Sequence, residues 1–229
     1  MNNLMKLHNY FRSSASFRVR IALNLKGLSF DYIPVHIARG DHKLPEYSAI
    51  STDRLVPLLE IEEGGGVDRL SQSMAIIEYL DETHPQAALL PATPKDRARV
   101  RALAQSIACE IHPLNNLRVL KYLVRELKVS DEDKNIWYSH WVREGLLSFE
   151  RQLEQLAELR QSEGQVPSVY CWGTTPTLAD CCLVPQIFNA KRFNVDFSSL
   201  PLTMTAFEQC MKLPAFIDAQ PSNCPDNEA

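Results

Sequence analysis

Residues 11–23 read FRSSASFRVRIAL, and this stretch says more about the fold than any other part of the chain. Residues 5–10 before it alternate apolar and polar side chains as a short strand does, and the apolar residues after it recur at helical spacing. A strand that turns through serines into a helix places hydroxyl groups and main-chain N–H groups at the positive N-terminus of that helix. The stretch therefore predicts a site for an anion such as a thiolate.

The serine cluster resembles a motif of the zeta class of glutathione transferases, Ser-Ser-Cys-Ser-x-Arg-Val-Arg-Ile-Ala-Leu. This class includes the maleylacetoacetate and maleylpyruvate isomerases. The matching positions are Ser13, Ser14, Ser16 and residues 18–23. The chain departs from the motif at Ala15, where the family usually has cysteine. An ordinary serine N-cap on an amphipathic helix is the alternative interpretation, but it accounts for one serine and not for the whole run.

Composition excludes several classes of protein. The chain has 229 residues, which is enough for one or two domains, and its 45% apolar and 23% charged residues are ordinary for a globular protein. The net charge of −4 argues against a nucleic-acid partner. No run approaches the ~18 apolar residues of a membrane helix, and the first residues lack the apolar region of a secretory signal. The six cysteines follow no metal-binding or redox spacing, so we expect reduced thiols, no metal and a cytoplasmic location.

The first 84 residues alternate strand-like and helix-like patterns. Predicted strands span 5–10, 30–35, 56–60 and 67–70, and predicted helices span 16–26 and 71–83. Three consecutive glycines, 64–66, predict a hairpin between the last two strands. The resemblance implies that the order βαβαββα is a thioredoxin-like, glutathione-binding domain over residues 1–84.

The rest of the chain has helical periodicity. Residues 84–94, HPQAALLPATP, contain three prolines and predict a linker. Predicted helices cover 96–109 and 136–159, and Thr177-Leu178-Ala179-Asp180 predicts a capping box that opens a helix through Ala190. The polar stretch after Pro221 predicts a mobile tail. By resemblance the fold class is α+β, with an all-helical substrate-binding domain over 95–229.

The resemblance implies a glutathione site built from four pieces of the first domain. Ser13, with Ser14 beside it, would donate to the sulfur and favour the thiolate. Val56, before a cis Pro57, would pair with the main chain of the tripeptide. The remaining members are Gln72 and Ser73 for the γ-glutamyl carboxylate, and His42 for the glycine carboxylate.

Each of these pieces has a simpler interpretation. Residues 51–54 read Ser-Thr-Asp-Arg where the family has Asn-Pro-x-x, and an ordinary trans proline at a strand start is the alternative for Pro57. Gln72 and Ser73 also suit a plain helix cap, and His42 also suits a surface histidine without a role.

The second domain contributes residues 111–118, which resemble the stretch lining the substrate cleft of bacterial maleylacetoacetate and maleylpyruvate isomerases. In this stretch His112, Asn116 and Arg118 are the candidate substrate-binding residues. The implied substrates are small dicarboxylates, so Arg12, Arg118 and Arg192 are candidate partners for carboxylates. A solvated helix end is the alternative for Arg192, and an arginine joining two helices is the alternative for Arg118.

The resemblance implies glutathione-dependent cis–trans isomerisation of maleylacetoacetate or maleylpyruvate in the catabolism of aromatic compounds, by a homodimer. Glutathione is the implied cofactor, and the implied catalytic residues are Ser13, Ser14, Arg12 and Arg118. Two other functions stay open: a transferase or dehalogenase acting on small electrophiles such as α-haloacids, and a non-enzymatic binding protein with the same fold. The loss of cysteine at Ala15 bears on substrate specificity.

Overall fold

A computed structural model describes residues 4–228 of the chain. These residues form two compact units, one made of 4–89 together with 212–228, and the other of 90–211. The predicted division at residues 84 and 95 stays a prediction, but the C-terminal stretch 212–228 packs with the first unit. Within residues 4–228, no helix combines the length and the apolar character needed to cross a membrane.

The first unit contains a mixed four-stranded sheet of strand order β2-β1-β3-β4. Its strands are β1 (Leu4–Asn9), β2 (Asp31–Pro34), β3 (Leu58–Glu63) and β4 (Gly66–Ser71). Strand β1 runs parallel to β2 and antiparallel to β3, and β3 forms the predicted hairpin with β4. The helices are α1 (Ser14–Leu25), the four-residue α2 (Pro45–Ser48) and α3 (Ser73–Thr83). The order βαβαββα that the resemblance implies is confirmed, although the sequence pattern alone predicts no helix at α2.

Several element boundaries differ from the prediction, and two of them have a clear local reason. Strand β3 begins at Leu58 and not at Val56, because Pro57 has no N–H to give to the ladder. Helix α3 begins at Ser73 and not at Ser71, because Ser71 still pairs with Leu58 in the hairpin. Helix α1 packs against α3, and its buried side chains include Phe17 and Ile21.

Within residues 90–211 the second unit contains helices joined by loops and no strand. Its helices are α4 (Pro94–Gln105), α5 (Leu117–Arg125), α6 (Asp131–Ser162), α7 (Leu178–Lys191) and α8 (Pro201–Cys210). A π-helical segment, Ser106–Ile111, continues α4 where the sequence predicts ordinary helix. Helix α7 is buried almost all round from Leu178 to Ile187, as expected of a central helix.

The predicted capping box is confirmed at the N-terminus of α7. The carboxylate of Asp180 is fully buried and accepts from the main-chain N–H of Thr177 at 2.7 Å and from its hydroxyl at 2.8 Å. It also accepts from the N–H of Cys171 at 2.9 Å, which fastens the preceding loop to the helix. One carboxylate therefore satisfies several buried donors at the entrance of the central helix.

We expect Asp180→Asn to lower the free energy of unfolding by about 1–3 kcal/mol, because an amide NH₂ then faces a buried donor. Urea unfolding at constant m-value measures the loss. Asp68→Asn is the matched control, since Asp68 is an exposed carboxylate on β4. Equal midpoints for the two variants would contradict the structural role of Asp180.

The C-terminal stretch is ordered against the first unit, whereas its composition predicts a mobile tail. It includes a short helix, α9 (Pro214–Asp218), that packs against α1. Beyond α9, Cys224 is buried at 7% exposure and Asp226 accepts hydrogen bonds from Phe11 and Tyr32. The polar composition of the stretch does not reveal these contacts, because the residues that it contacts lie near the other end of the chain.

Candidate active site

Ser13 lies at the N-terminus of α1 as its N-cap. Its backbone is extended, with φ −71° and ψ 117°, and its Oγ accepts from the N–H of Ser16 at 3.2 Å. A serine hydroxyl has one donor hydrogen and two acceptor lone pairs, so this cap bond leaves the hydrogen able to donate elsewhere. Ser14 begins the helix and is 9% exposed, whereas Ser13 is half-buried. Of the two, Ser13 presents the more accessible hydroxyl at the positive helix end.

The turn that leads into Ser13 carries Arg12 on its exposed side. The N–H of Ser13 donates to the carbonyl of Tyr10 at 3.0 Å and closes the turn. The Arg12 guanidinium lies 5.0 Å from the centroid of the buried Phe11 ring, within cation–π distance. A cation and a hydroxyl donor thus occupy adjacent positions of one turn.

The second predicted piece contains a cis peptide bond between Val56 and Pro57, as expected. The loop before it differs in sequence from the family pattern and is held by Asp53. Its Oδ1 accepts from the hydroxyl of Ser51 at 3.0 Å and from the N–H of Leu55 at 3.1 Å. This carboxylate gives residues 51–55 a defined turn of their own.

Gln72 and Ser73 lie at the N-terminus of α3. Gln72 has a φ of +68°, a backbone conformation that non-glycine residues seldom adopt and that often marks functional sites. Its side-chain amide lies 3.4 Å from Oδ2 of Asp53, so the second and third pieces are in contact. Ser73 is 5% exposed and is the first residue of the helix.

Arg18 places a buried positive charge behind Ser73. The side chain is 2% exposed, and its Nη1 donates to the Ser73 hydroxyl at 3.3 Å. Its Nε and Nη2 atoms find no hydrogen-bond partner among residues 4–228. A buried guanidinium with unused donors beside a helix N-terminus favours the binding of an anion. A carboxylate of glutathione is such an anion.

The remaining contacts bring the pieces of the first unit together. Val56 packs against the cluster of Tyr10, Phe11 and Cys224, next to the turn that carries Ser13. His42 lies half-buried in a short 3₁₀ turn, Asp41–Lys43, and its predicted contact with glutathione stays a prediction. Arg18 and Asp53 are additions to the predicted set. Arg18 lies inside the quoted motif, but only the packing of α1 against α3 reveals its partner.

In the second unit Asn116 is the N-cap of α5. Its Oδ1 accepts from the N–H of Arg118 at 3.1 Å, and its Nδ2 lies 3.4 Å from Nε2 of His112. The Arg118 side chain is exposed, so only its main chain takes part in the cap. The structure therefore brings His112 and Asn116 together and presents the Arg118 guanidinium at the helix N-terminus.

Arg192 lies at the C-terminal end of α7 and is exposed, with Nη1 donating to the side chain of Asn189 at 3.2 Å. The adjacent Phe193 stacks on the buried Tyr138 ring with centroids 3.7 Å apart. Asn115 donates to the Tyr138 carbonyl at 3.2 Å, so Tyr138 of α6 contacts both the stretch 111–118 and Phe193, the neighbour of Arg192. Burial raises the pKa of Tyr138, and the positive charge of Arg192 opposes that rise.

The donor set of the first unit suits an anionic peptide thiol: a hydroxyl at a helix N-terminus, and a second helix N-terminus backed by a buried guanidinium. Residues 4–228 contain no cluster of three or more His, Cys, Asp or Glu side chains able to hold a metal ion. The arrangement can therefore stabilise a thiolate at one helix and a carboxylate at the other.

Comparison with known proteins gives consistent matches. Residues 12–83 match the family described as glutathione S-transferase, N-terminal domain. A probable maleylacetoacetate isomerase of Vibrio cholerae is 44% identical over 222 residues, which cover 96% of this chain and 97% of that protein.

Two solved structures are similar over nearly their whole length. The holo structure of a maleylpyruvate isomerase, a bacterial zeta-class glutathione S-transferase, matches with a TM-score of 0.88 at 40% identity and covers 97% of this chain and 100% of that one. The maleylacetoacetate isomerase of Anaeromyxobacter dehalogenans, with dicarboxyethyl glutathione and citrate in its active site, matches with a TM-score of 0.86 at 36% identity over 100% and 99% of the two chains.

Proposed function

The chain belongs to the zeta class of glutathione transferases, and from that premise we propose that it is a glutathione-dependent cis–trans isomerase of maleylacetoacetate or maleylpyruvate. The observation that supports this activity most directly is the position of Ser13. Its hydroxyl caps α1 through an acceptor lone pair and keeps its hydrogen for a sulfur at the same helix end. The similarity to isomerases over nearly the whole chain agrees with this assignment.

Glutathione is the proposed cofactor, and the residues of the first unit fit it. We assign the γ-glutamyl carboxylate to Gln72 and Ser73, with the buried charge of Arg18 behind them. The main chain of Val56 pairs with the peptide, and His42 faces the glycine carboxylate. The related enzyme of A. dehalogenans, with a glutathione derivative and citrate in its active site, supports both a tripeptide and a polycarboxylate as ligands.

Each residue then has a defined task in the reaction. Bound glutathione supplies a thiolate that adds to one carbon of the cis double bond. The bond between the two carbons is then single and rotates, and loss of the thiolate restores a double bond in the trans geometry. Ser13 donates to the sulfur and lowers the pKa of the thiol, with Ser14 beside it. Arg12, Arg118 and Arg192 pair with the substrate carboxylates and stabilise the negative charge that develops on the adjacent oxygen, while His112 and Asn116 contact the substrate.

A coupled absorbance assay with both substrates tests this proposal. We expect isomerisation of at least one substrate, with complete dependence on added glutathione and glutathione recovered unchanged. Release of halide from an α-haloacid without isomerisation of either maleyl substrate would favour the transferase or dehalogenase alternative. Binding of glutathione without any turnover would favour the non-enzymatic alternative.

The homodimer is a separate prediction, since two-fold pairs are the commonest oligomers. Sedimentation at micromolar concentration should give twice the 26.0 kDa mass of the chain. A mass near 26.0 kDa under these conditions would contradict it.

We also place the activity in the cytoplasm and in the catabolism of aromatic compounds. None of the six cysteines forms a disulfide, which suits a reducing compartment. Growth of a deletion strain on an aromatic carbon source, compared with growth on glucose, tests the metabolic assignment.

A further inference from the structure

Asp226, near the C-terminal end of the chain, contacts the turn that carries Arg12 and Ser13. Its Oδ2 accepts from the main-chain N–H of Phe11 at 3.3 Å, and its Oδ1 accepts from the hydroxyl of Tyr32 at 2.5 Å. Phe11 lies two residues before Ser13, and Tyr32 lies on β2 beside β1. A single carboxylate therefore joins the start of the turn to the edge of the sheet.

The carbonyl side of the same turn is held by Arg20. This side chain is 2% exposed, and its Nη2 donates to the carbonyl of Phe11 at 3.0 Å. Its Nε donates to the carbonyl of Ala219 at 3.0 Å, so Arg20 also binds the C-terminal stretch. Phe11 is thus fixed at its N–H by Asp226 and at its C=O by Arg20, and it has little freedom to move.

Apolar and charged contacts extend the attachment on both sides of Asp226. Cys224, at 7% exposure, packs with Tyr10 and Phe11, and Val56 packs against the same cluster. Glu228 forms an ion pair with Arg39. The C-terminal residues 224–228 therefore support two of the pieces assigned to glutathione, the Ser13 turn and Val56.

We propose that Asp226 is a positioning residue for activation of the thiol, because it fixes the N–H of Phe11 and thereby the place of the Ser13 hydroxyl. This inference rests on the proposed function in one respect, namely that Ser13 donates to glutathione. Ser13 must hold its hydrogen along one direction toward the sulfur, and displacement of a reacting group by ~1 Å can reduce a rate by about 100-fold. Asp226 acts through Phe11 and does not itself touch glutathione.

The test compares Asp226→Ala with Asp226→Asn. Alanine removes both hydrogen bonds, whereas the asparagine Oδ1 accepts from Phe11 and its amide donates to the Tyr32 oxygen. We expect Asp226→Ala to raise the pKa of the bound glutathione thiol toward that of free glutathione, and to lower kcat on the order of 10-fold to 100-fold. Asp226→Asn should restore most of both values. Asp218→Ala, which removes an exposed carboxylate of α9, is the matched control.

The thiol pKa is measured by ultraviolet titration of glutathione bound to each variant, beside the melting temperature of the unliganded protein. If Asp226→Ala behaves as Asp218→Ala does in thiol pKa and kcat, the inference is wrong. A lower melting temperature with an unchanged thiol pKa would show a purely structural role and would also overturn it. If Asp226→Ala does not fold, Tyr32→Phe decides, because loss of one anchor should raise the thiol pKa in the same direction.

These outcomes separate the inference from the proposed function. A wild-type protein that binds glutathione without lowering the pKa of its thiol contradicts the proposed function, and the role of Asp226 with it. A lowered thiol pKa in the wild type that Asp226→Ala retains contradicts the role of Asp226 alone.

Discussion

Ser13→Ala should lower the turnover of the isomerase by about one to three orders of magnitude. This is the loss expected when an anion, here the thiolate of glutathione, loses one aligned hydrogen-bond donor. The hydroxyl of Ser13 lies at the N-terminus of α1 and uses only a lone pair for its cap bond with Ser16. Without its hydrogen the bound thiol should ionise closer to the pKa of free glutathione. Kinetics at saturating glutathione and ultraviolet titration of the bound thiol measure the two effects together.

The same substitution removes an N-cap, which by itself costs about 1 kcal/mol of stability. Two further variants separate the cap from the donor. Ser13→Gly lacks the hydroxyl but costs only a few tenths of a kcal/mol as a cap, so it should be stable and slow. Ser13→Thr keeps both the cap acceptor and the hydroxyl and should retain most of the activity. If bound glutathione ionises in Ser13→Ala as it does in the wild type, Ser13 is not the activating residue.

The features that could be predicted from sequence are those formed by neighbours in the chain. The Ser13 cap joins residues three apart, and so does the capping box of Thr177 and Asp180. Their hydrogen bonds depend on local backbone geometry, which short patterns encode directly. The β3–β4 hairpin is predictable for the same reason, since its glycines lie between the two strands that they connect.

The features that sequence could not supply join distant parts of the chain. Arg18 and Ser73 are 55 residues apart, and Phe11 and Asp226 are 215 apart. No periodicity connects such pairs, because their contact depends on how α1 packs against α3 and on where the C-terminal stretch returns. The polar composition after Pro221 is typical of a mobile tail, yet buried Cys224 and the carboxylate of Asp226 fix it to the turn before Ser13.

Arg118→Ala should reduce kcat/KM by about 30-fold to 1,000-fold, while the affinity for glutathione changes little. This reduction corresponds to a loss of roughly 2–4 kcal/mol of transition-state binding. Within residues 4–228 the Arg118 side chain has no evident structural task. Its side chain is exposed, and only its main-chain N–H takes part in the Asn116 cap. Moreover, it lies in the first turn of α5, where a positive charge opposes the helix dipole. We therefore expect the Arg118 guanidinium to pair with an anionic substrate and not to stabilise the helix.

The stability of the variant is therefore part of the prediction. Arg118→Ala should leave the melting temperature unchanged or slightly raised, whereas an arginine that joins two helices would lower it. Arg125→Ala is the matched control, because Arg125 is exposed in the last turn of the same helix, where its charge is favourable. That variant should lose a little stability and keep its kcat/KM. A parallel loss of glutathione affinity, melting temperature and kcat/KM in Arg118→Ala would show that Arg118 is structural, and the assignment to the substrate carboxylate would then be wrong.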